Sequence, residues 1–151
     1  MKILITGGSG QLAQSIYETI KGKNLYSSVL FSKEELDITK IKSLKNLLVR
    51  HHPDIVINAA AYTKVDLAER EKSKAFQANE IGPKNLAKIC NELNIFLVHF
   101  STDYVFDGRK EGLWKEDDLT NPISVYGKSK LSGEKAIIEN CSKYLILRTS
   151  W

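Results

Sequence analysis

Two side chains four residues apart have the types needed for proton transfer. Tyr126 and Lys130 lie in the stretch Val125-Tyr126-Gly127-Lys128-Ser129-Lys130, whose pattern reads as helix. That spacing puts both on one helix face, with Cβ atoms about 6 Å apart. A phenol ionises near pH 10, roughly, too high for easy proton exchange at neutral pH. A neighbouring ammonium lowers that value. The pair is therefore expected to make Tyr126 a usable acid, with Lys128 left in solvent. Thr102 ends an apolar run and offers a hydroxyl to polarise the same substrate oxygen. A Tyr-x-x-x-Lys pair is common on surface helices, so its meaning depends on what else the chain provides.

What it provides is a glycine turn in the right context. Thr6-Gly7-Gly8-Ser9-Gly10-Gln11-Leu12-Ala13 follows a strand-like run and opens a helix-like one. Gly7 suits the tight turn, Gly10 admits a pyrophosphate close to the backbone, and Ala13 permits close helix–strand packing. The amides of Gln11 and Leu12, at the helix N-terminus, face the phosphates. This is a dinucleotide cradle. With it, Lys130 is placed to hold a nicotinamide ribose while Tyr126 protonates a carbonyl that receives hydride. The positive charge of oxidised nicotinamide is expected to add to the lysine's lowering of the phenol pKa. The second strand ends Phe31-Ser32-Lys33, with Glu34 and Glu35 following late. An acid at that point favours NAD, and a basic residue accommodates the 2′-phosphate of NADP. Ser32 and Lys33 therefore favour NADPH, with NADH as the alternative.

The elements that must hold these groups alternate. Strands are expected over residues 2–6, 28–31, 54–58, 95–101 and 144–148. Helices are expected over 11–20, 40–51, 73–93 and 125–139, with Gly82-Pro83 kinking or breaking the third. Alternation of this kind implies a doubly wound parallel sheet of the Rossmann type. The glycine turn leads us to expect strand order 3-2-1-4-5 and a ligand at the carboxyl ends of strands one and four.

Composition fits one cytoplasmic domain. The chain has 151 residues, is 42% hydrophobic and 26% charged, and carries a net charge of +4. No apolar run approaches the length of a membrane span, and residues 3–5 are too short for a signal-peptide core. The lysines are interleaved with glutamates, which argues against nucleic acid. Cys90 and Cys141 form no ligand pair and are expected to be buried thiols. His51-His52 reads as an exposed helix end, and the consecutive acids at 116–118 as solvated rather than metal-binding.

Longer stretches carry a resemblance. TGGSGQLA, ELDIT (35–39), PDIVINAAAYTKVDLAE (53–69), NEIGPKNLA (79–87), STDYVFDG (101–108), NPISVYGKSKLSGE (121–134) and LRTSW (147–151) resemble the dTDP-4-dehydrorhamnose reductase family, a branch of the extended short-chain dehydrogenases. The resemblance runs through the whole chain in order. It implies reduction of dTDP-4-dehydro-6-deoxy-L-mannose to dTDP-L-rhamnose by NADPH or NADH, with Thr102, Tyr126 and Lys130 as the triad. It further implies that Asp37 and Ile38 contact the adenine and that Ala59, Ala60 and Ala61 line the cofactor groove. Asp103, Tyr104 and Trp151 would face the nucleotide sugar. Two other functions remain open: a non-catalytic nucleotide-binding regulatory subunit of the same fold, and a reductase or epimerase of another nucleotide sugar. A scaffold needs none of the triad, which favours the enzyme. Family members continue past the RTSW motif, so residues 1–151 correspond to the cofactor-binding domain without the C-terminal substrate domain. An uncovered end strand leads us to expect that this chain forms a homodimer or aggregates, and turns over little substrate alone.

Overall fold

The structure, a computed structural model, describes residues 1–150. Five parallel strands form one sheet: β1 (Lys2–Thr6), β2 (Ser27–Phe31), β3 (Ile55–Asn58), β4 (Phe96–Thr102) and β5 (Tyr144–Thr149). Between them run α1 (Gln11–Ile20), α2 (Ile41–His51), the short α3 (Val65–Ala68) and α4 (Lys72–Phe76), α5 (Gly82–Glu92) and α6 (Val125–Asn140). The Rossmann-type doubly wound architecture stands as expected.

Alternation along β1 shows why helices must cover both faces. Leu4 packs on one face with Leu44 and Leu48 of α2, Leu86 of α5 and Ile137 of α6. Ile3 and Ile5 point the other way, onto Ala13, Ile16 and Ile20 of α1. Leu44 and Leu48 are fully buried, each contributing roughly 1.5–3 kcal/mol of transfer free energy. Cys90 and Cys141 are free and buried in the larger cluster. Further along the sheet the α1 side thins out. Phe96 of β4 and Leu145 and Leu147 of β5 remain exposed there.

The strand order is β2-β1-β3-β4-β5, which corrects the expected 3-2-1-4-5. β3 pairs directly with β1, Ile5 opposite Ile57 and Thr6 opposite Asn58. The cause lies between β2 and α2. Residues 32–40 form turns rather than a strand, and Asp37 Oδ1 closes one of them by accepting from both the amide and the hydroxyl of Thr39. With no strand to place beyond β2, the chain returns through α2 to the free side of β1. The topological switch therefore falls between β1 and β3, not strands one and four.

The expected helix over 73–93 also needs correcting. Gly82-Pro83 does not break it. α4 passes into α5 through a π-helical segment, Gln77–Ile81, and Pro83 sits in the first turn of α5. A widened turn absorbs the amide that Pro83 lacks. Gly82 serves packing as well, because a Cβ there would lie 2.5 Å from Ile38 Cδ1. His51 is half-buried and sets its ring edge-on to Phe31 at 5.3 Å, so only His52 is an exposed end.

Candidate active site

The glycine turn is built by exclusion of side chains. Gly7 adopts φ +77°, and a Cβ on it would lie 2.7 Å from the backbone of Ala59 and Ala60. Gly8 touches the other neighbouring strand, where a Cβ would meet the Phe31 carbonyl carbon at 2.8 Å. The turn thus nests between the ends of β2 and β3. Gly10 is the N-cap of α1, and no side chain caps that helix. The first amides of α1, including those of Gln11 and Leu12, have no intrahelical acceptor and stay available to a ligand.

A groove of about 610 Å³ opens beside this turn, a volume suited to a nucleotide ligand. Gly7 and Gly10 form its floor, Lys33, Asp37 and Ile38 one wall, and Ala59, Ala60 and Ala61 another. The alanines are held by a polar ladder across three strands. Thr6 Oγ1 donates to Asn58 Oδ1 at 2.7 Å, and the same oxygen accepts the Ala60 amide at 3.2 Å. Asn58 Nδ2 donates to His99 Nδ1 at 2.9 Å. His99 is fully buried, and burial holds its pKa well below the usual value. Sequence reasoning missed this ladder, because Asn58 and His99 each sit singly in apolar runs.

Ser32 lies at the end of β2, and its amide donates to Glu35 Oε2 at 2.8 Å. The acid that sequence spacing placed too late therefore folds back to the strand end. Lys33 is exposed and lies close enough to Asp37 to help hold that carboxyl below its ordinary pKa, against a larger opposing effect of partial burial.

Tyr126 and Lys130 share a face of α6, above the end of β4. Tyr126, like Tyr62 and Phe76, packs against the buried Ala68, Ala75 and Val125, and Tyr62 lines the groove. The Tyr126 ring meets that of Tyr104 edge-on at 5.6 Å. Burial pushes the Tyr126 phenol above its usual pKa, the Thr102 hydroxyl beside it acts against this, and Asp103 and Tyr104 add to it. The expected lowering by Lys130 does not occur in this structure. Lys130 is 2% exposed and its Nζ donates to the Phe100 carbonyl at 2.6 Å. Burial brings its own pKa down to about 8, and Glu134 works in the other direction. Thr102 Oγ1 donates to Asp103 Oδ1 at 3.1 Å and accepts the Tyr104 amide at 3.2 Å. Asp103 and Tyr104 open a short 3-10 turn (Asp103–Val105) at the mouth of the site. Trp151 lies outside the described residues.

The residues that place α6 were not legible beforehand. Ser124 Oγ accepts the Gly127 amide, and Glu69 Oε1 accepts the Val125 amide at 2.7 Å, so two side chains cap the helix. Asn79, in the π-helical segment, donates to Ser129 Oγ at 2.9 Å and exchanges hydrogen bonds with the Tyr62 backbone. Gly127 and Gly133 let α6 approach closely, since a Cβ would lie 2.2 Å from Tyr104 O or 2.1 Å from Asn79 O. The available signal was two glycines inside a helical pattern, which usually mark close packing.

A parallel sheet with a glycine turn at its switch point, and a Tyr-x-x-x-Lys helix following the adjacent strand, defines a Rossmann-type nucleotide-binding fold with a reductase-like set of side chains. Residues 1–151 match the model of the RmlD substrate binding domain, and the chain belongs to that family. A dTDP-4-dehydrorhamnose reductase of Aggregatibacter actinomycetemcomitans is 43% identical over 150 residues, which are 99% of this chain and 51% of that protein. The crystal structure of a dTDP-4-dehydrorhamnose reductase from Clostridium acetobutylicum superposes with a TM-score of 0.97 at 43% identity, covering 100% of this chain and 54% of that one. The enzyme of that name from Bacillus anthracis, solved in complex with NADP, gives a TM-score of 0.96 at 40% identity, covering 99% and 53%. The chain spans about half the length of the curated relatives it matches. Among the described residues, no helix is long and apolar enough to cross a membrane.

Proposed function

We propose that this chain is the cofactor-binding and catalytic part of a dTDP-4-dehydrorhamnose reductase, reducing the ketone of dTDP-4-dehydro-6-deoxy-L-mannose. The observation that carries the reading is the side-by-side placement of an open groove at the β1–β3 switch and the Thr102–Tyr126–Lys130 cluster one strand further on. The residues present fit a dinucleotide. Gly7 and Gly8 bring the turn's bare backbone against β3 and β2, and the uncapped amides of α1 suit a pyrophosphate. The NADP complex of the Bacillus anthracis relative supports NADPH. When bound, the dinucleotide supplies the hydride.

The chain's own groups do the rest. Gln11 and Leu12 amides hold phosphate, Lys33 lies toward the ribose of the adenosine half, and Asp37 and Ile38 border the adenine. Ala59–Ala61 keep the groove wall free of bulk. Lys130, buried and charged at neutral pH, hydrogen-bonds the nicotinamide ribose and so orients the ring. Thr102 donates to the substrate carbonyl oxygen, and Tyr126 delivers a proton to that oxygen as it gains negative charge. The phenol is protonated before the step, and burial leaves it a weaker acid than a free phenol. Asp103 and Tyr104, at the mouth, are positioned to meet the sugar nucleotide. The exposed Phe96, Leu145 and Leu147 support self-association of this chain as a homodimer.

The direct test supplies dTDP-4-dehydro-6-deoxy-L-mannose and follows NADPH oxidation by the full-length protein, with a UDP-4-keto sugar as comparison. Substrate-dependent oxidation with the dTDP sugar is expected. Oxidation with the UDP sugar alone would move the assignment to another nucleotide sugar. Tight NADPH binding without oxidation of either would support a regulatory subunit.

A further inference from the structure

Lys130 has a neighbour that the reaction does not explain. Glu134 lies one turn further along α6 and is 1% exposed. It is held in a bidentate grip by Arg148 of β5, whose Nε donates to Oε1 at 3.0 Å and whose Nη2 donates to Oε2 at 2.7 Å. Arg148 also donates from Nη1 to the Glu116 carbonyl at 3.1 Å, and its guanidinium sits 5.1 Å from the Phe106 ring centroid. Phe106 in turn stacks on Trp114 at 4.3 Å. A buried acid, a buried amine one helical turn away and a fixed guanidinium thus form a line running from β4 to the loop after it.

This arrangement is costly unless it serves something. Two buried charges can usually be replaced by apolar side chains of similar volume without loss of stability. Both oxygens of Glu134 are engaged by Arg148. Lys130 lies one turn from Glu134 on the same face of α6, with no direct ion pair between them. The neutral His99 on β4, the phenol of Tyr126 and, beyond Glu134, the Arg148 guanidinium are the other groups around it. Of these, only Glu134 carries negative charge toward it. The Phe100 carbonyl adds a dipole but no charge.

We propose that Glu134 is a positioning residue that keeps Lys130 cationic in its buried site, and that Arg148 holds Glu134 in place to do so. Glu134 touches neither substrate nor cofactor and acts through the lysine. The burial that lowers the Lys130 pKa to about 8 would lower it further without the Glu134 carboxylate. Lys130 would then lose its charge within the physiological range and with it the ability to donate all of its hydrogen bonds.

The proposal rests on the reading of Lys130 as the ribose-holding ammonium, and its test separates the two. Lysines carrying 13C at Cε are titrated by NMR in the full-length protein, with the Lys130 resonance assigned from Lys130→Arg. In Glu134→Gln, the Lys130 titration is expected to move down by about one pH unit, a tenfold rise in neutral lysine at a given pH. In Glu134→Asp it should stay near the wild-type position. Should Glu134→Gln fail to fold, Glu134→Met with Arg148→Met removes the carboxylate without leaving an unpaired charge and is expected to show the same downward move. An unchanged Lys130 titration in a folded variant lacking the carboxylate overturns the proposal. NADPH affinity at pH 8 is measured alongside. If the titration moves and affinity does not, Glu134 keeps its role and the ribose contact of Lys130 is what fails.

Discussion

The two sides of the site are made in opposite ways. At the β1–β3 switch, the groove exists because side chains are missing: Gly7 and Gly8 each press bare backbone against a neighbouring strand. At β4 and α6, the site exists because side chains are present and buried, with Lys130, Glu134 and His99 all nearly inaccessible. The first kind of site is fixed by steric exclusion and tolerates no added atom. The second depends on charge balance in a low-dielectric interior, and so responds to pH and to distant partners such as Arg148. Substitutions on the first side should act mainly on cofactor binding. Those on the second should act on proton transfer and on helix placement.

The largest separation of the two comes from Tyr126→Phe. It removes the proton donor but none of the groove, so kcat for reduction is expected to fall by about 10²–10⁴. NADPH affinity should change less than about twofold, well below the tenfold that 1.4 kcal/mol represents. Stopped-flow reduction with parallel fluorescence titration measures both. A variant retaining most of its kcat would transfer the acid role to another group.

A matched pair of glycine substitutions comes next. In Gly133→Ala the new methyl would start 2.1 Å from Asn79 O. Forcing α6 away should cost about 3 kcal/mol of stability, read from the urea midpoint. Gly7→Ala adds a methyl 2.7 Å from the Ala59 backbone at φ +77°. It should weaken NADPH by about tenfold or more, since the turn must open to relieve both contacts. If Gly7→Ala bound NADPH normally, the exclusion argument for the first side would be wrong.

How much of this was legible depended on the same contrast. Gly7, Gly10 and Ala13 stand at readable spacing next to a strand, so the cradle followed from the chain itself. Tyr126 and Lys130 were readable as an i, i+4 pair. What sets their chemistry was not. Asn79, Glu69 and Arg148 reach α6 from other elements, 50, 56 and 14 residues away from their partners. No local pattern records such contacts. The lowered pKa anticipated for Tyr126 failed for this reason, since burial of the phenol on α6 outweighs a lysine that is turned to the Phe100 carbonyl. The strand order failed because five strands and a glycine turn do not say whether residues 32–40 form a strand. Only the turn closed by Asp37 and Thr39 decides that.

The charge on the second side should also be visible in stability. The folded pKa of Lys130, about 8, lies below the value near 10.4 expected of an unfolded lysine. Between those values the unfolded chain binds more protons than the folded one, so stability from this group rises with pH across the window. Below pH 8 the folded protein bears the full cost of a buried ammonium. The rise should be about 3 kcal/mol, seen as an increasing urea midpoint, and Lys130→Met should remove it. A flat profile shared by both proteins would mean that Lys130 is better solvated than its burial indicates.

The smallest expected effect concerns the first side and the choice of cofactor. Lys33 borders the groove and is exposed, so its charge is screened by solvent and shared with Asp37 and Glu34. An exposed ion pair contributes up to about 1 kcal/mol, or roughly fivefold in affinity. Lys33→Ala is therefore expected to weaken NADPH by about fivefold and to leave NADH unchanged. Against Lys33 stands Glu35, whose carboxylate is bonded to the Ser32 amide at the end of β2. That acid is thereby held at the strand end, where dinucleotide folds read the ribose, although it does not itself line the groove. Glu35→Gln should then strengthen NADPH by a similar factor while weakening NADH. Fluorescence titration of both cofactors against both variants decides between the two residues. If Lys33→Ala leaves NADPH untouched and the wild type prefers NADH, Glu35 and not Lys33 reads the ribose, and the groove is built for the unphosphorylated dinucleotide.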